Sequence, residues 1–398
     1  MLHFWKNANP NSNRSMPMSG PLHGLRIIEF AGLGPGPFAC MMLADHGAEV
    51  IRIERPGGTQ GGPESDTATD ILLRSRKRIA IDMKSASGKA VLRDLVATAH
   101  GLVEGFRPGV MERLGLGPDD MLALNPKLVY GRMTGWGQTG PYAPMAGHDI
   151  NYIALSGALH AFGRKGEKPT PPINMMGDFG GGAMMLAFGM VSALLHVQRG
   201  GDGTVIDAAM TDGSALLMSM IYSFHGQGWW QDERGVNMLD TGAHFYDVYE
   251  TRDGKFISLG PIEPQFYAKM LELTGLADDP AMQPQNHSAK WDDMRDRLAR
   301  VIALKTRDEW DAVMVGTDAC YAPVLSLTDA PEHPHNRARE AFLTAGGVKQ
   351  PAPAPRYSTI ATTPPEMADG QTHTREILAQ LGYSEAQIQD TLAQGGVS

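Results

Sequence analysis

Cysteine is almost missing: the 398 residues hold two, Cys40 and Cys320, far apart and in no ligand-spaced array. Neither a disulfide framework nor a zinc site is suggested, and a reducing cytoplasm is the expected location. Long apolar runs are missing too, for none approaches the roughly 20 residues of a membrane span. There is no surplus of positive charge: 35 basic against 44 acidic residues leave a net charge of -9. That balance argues against bulk binding to nucleic acid or acidic membranes, so an anionic ligand must meet a local basic cluster. No internal repeat is visible. Residues 1–20, with Asn7, Asn9, Pro10, Asn11 and Asn13, are too polar for a signal peptide and read as a disordered extension. The final Gly395-Gly396-Val397-Ser398 is not an address of the Ser-Lys-Leu type.

What is present is an alternation of strand and helix patterns in a chain 42% hydrophobic and long enough for two domains. Leu25 to Phe30 reads as a strand, Phe38 to Asp45 as a helix and Ala48 to Glu54 as a second strand. The glycines between them, Gly32, Gly34 and Gly36, resemble a dinucleotide-binding turn, but Pro37 holds the third glycine position and Pro35 interrupts the phosphate-facing loop. A tight strand-to-helix turn is the better reading. Further strands are expected at Ile79 to Met83, Leu102 to Phe106, Leu128 to Gly135 and Val205 to Ala209, with a helix over Ser87 to His100.

The run Arg74-Ser75-Arg76-Lys77-Arg78 is read as a basic segment leading into the third strand. With Arg52 and Arg55 at the end of the second strand, Lys84, and Arg107 after the fourth, it makes a basic cluster where open α/β sheets bind ligands. A phosphorylated nucleotide fits such a cluster, and from the residues alone a solvated charged face stays open.

The most chemically suggestive stretch is 147–182. Gly147-His148-Asp149-Ile150-Asn151-Tyr152 opens a helix expected through Phe162, and Gly177-Asp178-Phe179-Gly180-Gly181-Gly182 opens a long apolar helix through His196. Asp178 is expected at that helix start, with the glycine amides after it left uncovered to receive an enolate oxygen. From the residues alone, a helix-capping or core role for His148 and Asp178 stays open. Beyond Gly226 the texture changes. His244 to about Leu327 contains a hairpin around Arg252-Asp253-Gly254 and three helices, followed by a proline-rich stretch and two short closing helices. The division is then a large domain over 21–225, a linker and small α+β domain over 226–327, and a C-terminal segment over 328–398 returning to the large domain or a partner subunit.

Several motifs together, Phe106 to Gly115, Gly131 to Gln138, Gly147 to Tyr152, Asn174 with Gly177 to Gly182, and Ile262 to Tyr267, make the chain from Leu22 onward resemble the α-methylacyl-CoA racemases of the family III CoA-transferase superfamily. The resemblance implies a Rossmann-like large domain, a smaller domain and an interlocked homodimer, with each site between the large domain of one subunit and the small domain of the other. It implies His148 and Asp178 as the two proton carriers, with Asp149, Asn174 and Glu263 in support, Glu263 from the partner subunit. Arg52, Arg74, Arg76, Arg78, Lys84 and Arg107 match the region that holds the CoA nucleotide. No metal and no cofactor is implied beyond the CoA of the substrate. Transferases of the superfamily use the aspartate as a nucleophile and usually lack the histidine, so a CoA-transferase is the alternative and a non-catalytic acyl-CoA binder a more distant one. His244 stands where racemases more often have proline and is expected to alter the local shape of the pocket.

The chemistry such an assignment demands can be stated. Inversion of a carbon beside a thioester needs a base on one face and an acid on the other. If His148 is the base, Asp178 must be protonated, which requires its pKa of about 3.9 to rise by roughly two to three units, or about 3 to 4 kcal/mol. The methionines Met175, Met176, Met184, Met185, Met190, Met218 and Met220, among 24 in all, gather near this stretch and offer an adaptable floor for an acyl tail, or simply a helical core.

Overall fold

The computed structural model describes residues 20–57, 68–368 and 371–398. The expected N-terminal extension therefore lies outside the described residues apart from Gly20. The alternating first half folds as β1 (Arg26–Phe30), α1 (Pro35–Asp45), β2 (Glu49–Glu54), β3 (Arg76–Ala80), α2 (Ala86–Ala97), β4 (Gly101–Glu104), α3 (Val110–Leu114), α4 (Pro118–Leu124) and β5 (Val129–Thr134). Two short helices follow, α5 (Asp149–Leu155) and α6 (Ala158–Ala161), because Gly157 takes a left-handed φ of 85° and breaks the single helix expected there. A π-helical segment, Met175–Met184, runs directly into α7 (Met185–Gln198), and then come β6 (Thr204–Ala209), α8 (Met210–Leu217) and α9 (Ser219–Gly226).

All six strands pair in parallel in the order β3-β2-β1-β4-β5-β6, the arrangement of a Rossmann sheet. The order reverses between β1 and β4, which opens a crevice at their carboxyl ends. One face, through Ile28, Ile51, Ile79 and Leu102, packs on α2 and the two closing helices, α14 and α15 below. The other, through Ile27, Val50, Val103 and Val129, packs on α1 and α7. Joined end to end, Met175–Gln198 is 24 residues of mean hydropathy 1.6, long and apolar enough to cross a membrane by length and composition. Leu186, Ala187, Met190 and Leu194 are nonetheless buried in the second core. The sequence reading missed this length because it began the helix at Asp178.

Most of the basic run lies inside the strand it is expected to precede, with only Arg74 and Ser75 in the turn before it. Arg76, Lys77 and Arg78 are in β3 itself, in register with Val50, Ile51 and Arg52 of β2. Alternation sends Lys77 to one face, where it pairs with Glu49 and Glu376, and Arg76 and Arg78 to the other. There Glu29 receives Arg52 and Arg76, and Glu54 receives Arg52 and Arg78.

The smaller unit is built on β7 (Asp247–Glu250), β8 (Phe256–Leu259) and β9 (Tyr321–Pro323), an antiparallel sheet covered by α10 (Pro264–Thr274), α11 (Trp291–Ile302) and α12 (Arg307–Met314). Its core includes Phe245, Tyr267, Trp291 and Trp310. His244 also lies here, fully buried, with Nε2 2.8 Å from the Tyr267 hydroxyl. It shapes the core of this unit instead of a pocket wall. After α13 (Pro334–Ala338) and a hairpin of β10 (Phe342–Ala345) and β11 (Val348–Pro351), the chain crosses back to the large sheet of its own subunit. Arg74 donates to Gln350 Oε1 and Pro351 O, the Thr363 amide donates to Asp45 O, and the Ser75 amide donates to Glu366 O. The closing helices α14 (Thr374–Gln380) and α15 (Glu385–Ala393) then complete the first core.

Candidate active site

Beyond the carboxyl ends of the central strands, three segments converge. The first is the β1–α1 turn, where Gly34 takes φ 63° and a Cβ would lie 3.2 Å from Asp178 Oδ2. A side chain there would press on the carboxylate, so the turn needs glycine for both conformation and space. The second is the start of α5, with His148 at the N-cap and exposed, and Asp149 buried behind it. The Asn151 side chain accepts the His148 amide at 3.0 Å, and Tyr152 donates to the Gly147 carbonyl, which anchors the peptide just before the histidine. The third is the π-helical segment that carries Asp178. Such segments are uncommon and frequent at functional sites.

Asp178 lies at the end of the first helical turn, not at the helix start, because Asn174 is the N-cap. Asn174 Nδ2 donates to Asp178 Oδ2 at 3.1 Å. Asp149 Oδ1 accepts the amides of Gly177 and Asp178, both at 2.7 Å. Burial holds the Asp178 carboxyl above the usual aspartate range; the Asn174 hydrogen bond opposes this, Asp149 adds to it, and the charge of His148 opposes it. The direction is the one an acid form near neutrality requires.

The glycines after Asp178 do not form the open cradle expected of them. They lie within the π-helical turns, whose amides bond to carbonyls five residues back. Their bareness serves packing: a Cβ on Gly181 would come 2.6 Å from the Ser214 amide, and one on Gly213 would come 1.8 Å from the Gly181 carbonyl. The helix meets α8 backbone to backbone.

His148, Asp149, Asn174 and Asp178 are thus brought to one place. Glu263 is not among them in this subunit. It is the exposed N-cap of α10 in the smaller unit, close enough to Cys320 for its charge to add to the rise that burial gives that thiol. Of the expected nucleotide contacts, Lys84 and Arg107 are exposed, but Arg52, Arg74, Arg76 and Arg78 are buried. Arg74 forms a double contact with Asp45, and Arg76 donates to Glu29 and to the Pro37 and Arg74 carbonyls. Such guanidiniums hold the sheet and the α1 start instead of facing solvent.

Three basic groups that form no ion pair among the described residues sit one step further out. Arg55, Lys84 and Arg113 line a cavity of about 480 Å³ at the ends of β2, β3 and β4, with Phe106, Met83 and Val110 as apolar walls. Arg55 was one charge among several in the sequence, and Arg113 only a letter in a motif. The signal that separates them from the buried set is position: Arg55 immediately follows β2 and Arg113 lies on α3, past the strand ends. Arg107 faces the catalytic side, where its charge opposes the rise of the Tyr152 phenol caused by burial and by Asp178.

The description of CoA-transferase family III matches residues 22–376. The chain belongs to that family. It is 45% identical over 92% of its length to the alpha-methylacyl-CoA racemase of Mus musculus, covering 95% of it, and 42% identical over the same share to that of Homo sapiens, also covering 95%. The succinyl-CoA:glutarate CoA-transferase of Mus musculus is more distant, at 31% over 94% of this chain and 90% of that one. Among solved structures, a hypothetical protein from Mycobacterium tuberculosis superposes with a TM-score of 0.74 at 28% identity, over 90% of this chain and 99% of that one. A CaiB/BaiF family protein from Brucella suis has the same fold, with a TM-score of 0.78 at 24% identity over 91% of this chain and all of that one.

Proposed function

We propose that this family III member is an isomerase that inverts the α-carbon of 2-methyl-branched acyl-CoA thioesters. One group removes the α-proton, the thioester carries the charge as an enolate, and a second group returns a proton on the opposite face. His148 and Asp178 are the two proton carriers. The observation that carries this reading is their presence at one site with the aspartate held above its usual range by burial. A carboxyl so placed holds its proton more firmly than an ordinary aspartate, the direction a donor needs, whereas a transferase needs the ionised form as nucleophile. The similarity to proteins named racemases at 45% and 42% supports the same side of that choice.

The cavity lined by Arg55, Lys84 and Arg113 is the proposed seat of the CoA phosphates, and two-base proton transfer needs no cofactor beyond that CoA. We assign the working form to a homodimer in which Glu263 of the small unit joins the site of the other subunit. Phe188, Val191 and Leu195 on α7, with Leu216 on α8 and Met220 and Tyr222 on α9, are apolar side chains exposed in the single subunit, which a partner subunit would cover. Both cysteines are free thiols, in keeping with a reducing cytoplasm.

Incubation with a 2-methylacyl-CoA in deuterium oxide tests the assignment. The wild-type protein is expected to exchange the α-proton and invert the centre, and His148→Ala and Asp178→Ala each to lose at least about a thousandfold of the exchange. Near wild-type exchange in either variant rules out the two-base scheme. Capture of an Asp178 acyl derivative by hydroxylamine, with turnover dependent on a second carboxylic acid, would replace it with CoA transfer.

A further inference from the structure

A carboxyl in the first turn of a long helix ordinarily ionises easily, because the unpaired amides there present about half a positive charge. Asp178 occupies such a turn of the 24-residue helix Met175–Gln198, yet the proposed reaction needs it to keep a proton. The amides that favour ionisation are already taken. Asp149, two elements away in the fold, places Oδ1 2.7 Å from both the Gly177 and Asp178 amides. Its other oxygen, Oδ2, is buried and has no partner among the described residues. Asp149 is itself 5% exposed, and a Cβ on Gly177 would lie 2.4 Å from its Oδ1, so the carboxylate fits against bare backbone.

We propose that Asp149 is a positioning residue that governs the proton affinity of the His148–Asp178 pair, by capping the catalytic helix with a buried carboxylate that forms no ion pair among the described residues. This inference rests on the two-base reading and adds a role for a third residue that touches no reacting atom. The cap does two things at once: it withdraws the helix amides from Asp178, and it sets a like charge behind the carboxyl, disfavouring a second one.

The other charged groups on neighbouring elements leave this arrangement in place. His148 and Tyr152 lie on the Asp149 side, and Arg107 comes from the loop after β4. Arg132 of β5 is paired with Glu104 and Glu112, and Asp45 of α1 with Arg74. Asp207 of β6 accepts the Gln138 amide, and Asp212 is the sole charged residue of α8. Asn174 supplies the only side-chain hydrogen bond to Asp178 among the described residues.

Asp149→Asn keeps an oxygen for the two amides and removes the charge. The active enzyme carries one proton on the His148–Asp178 pair, so exchange against pH is bell-shaped, bounded by loss of that proton on one side and gain of a second on the other. Removing a nearby negative charge makes both steps occur at lower pH. Both limbs of α-proton exchange are therefore expected to move toward acid by about one pH unit in Asp149→Asn, and to stay at the wild-type position in Asp149→Glu even if its peak rate falls. A merely structural role lowers the unfolding temperature and the peak rate but moves neither limb, and that outcome overturns the proposal. Asp149→Ser, whose hydroxyl also accepts amides, replaces the asparagine variant if that one does not fold. Should neither neutral variant fold, Asp149→Glu decides alone, because a displaced profile with the charge retained is equally fatal. Wild-type exchange remains the separate test of the two-base reading.

Discussion

Two sets of basic residues share the first third of the chain and end in opposite surroundings. Arg52, Arg74, Arg76 and Arg78 are inside the large domain, each paired with a carboxylate. Arg55, Lys84 and Arg113 stand just beyond the strand ends around an open cavity. Density of charge along the chain therefore does not mark the ligand site. What marks it is whether the residue falls within or just before a strand, where it is drawn into the layer of helices, or after one, where the crevice begins. The buried set acts at one remove: Arg76 holds the Pro37 carbonyl and so supports the turn whose Gly34 abuts Asp178.

The sharpest way to break this comparison is to remove one buried guanidinium. Arg76→Ala leaves Glu29 with half its partners in a dry site, and about 3 to 5 kcal/mol of stability should be lost in urea titration. Little loss, with weakened CoA binding, would reverse the assignment of the two sets. The small unit supplies an intermediate test, because there a buried base is kept neutral. Burial, assisted by the charge of Arg295, pushes His244 down from 6.5 to about 4. The unfolded chain takes a proton below pH 6.5 while the folded one does not, so this stability is complete above 6.5 and declines as pH falls toward 4. The total is roughly 3 kcal/mol, read as a falling urea midpoint that flattens in His244→Gln. The smallest effect belongs to the exposed set. Arg113→Ala should cost about 1.5 to 3 kcal/mol of CoA-thioester binding, roughly a tenfold to hundredfold rise in KM, with stability changed by no more than about 0.5 kcal/mol. A collapse of stability in that variant would place Arg113 with the buried group.

The sheet was largely legible because its strands are short apolar runs such as Arg26–Phe30 and Val129–Thr134, separated by glycine and proline turns. β3 was not, since Arg-Lys-Arg contradicts every strand preference until Glu29, Glu54 and Glu49 are known to lie beside it. The site motif around His148 and Asp178 was visible, but the helix around Asp178 was misjudged. Its first turn is stabilised by Asp149, 29 positions earlier, and a local reading places a helix start at the nearest acidic residue. The bareness of Gly181 and Gly213 had the same character: only the contact between two distant segments says that it is a matter of packing.

The helix Met175–Gln198 also has a mechanical side. Phe188 is 73% exposed and follows Asp178 by ten positions, about 15 Å at the usual rise. Any partner that covers Phe188, Val191 and Leu195 rests on the same rigid rod that carries the acid group. Selection for assembly and selection for turnover therefore act on one continuous object, and a mutation that spares the chemistry can still be transmitted to it along the shaft.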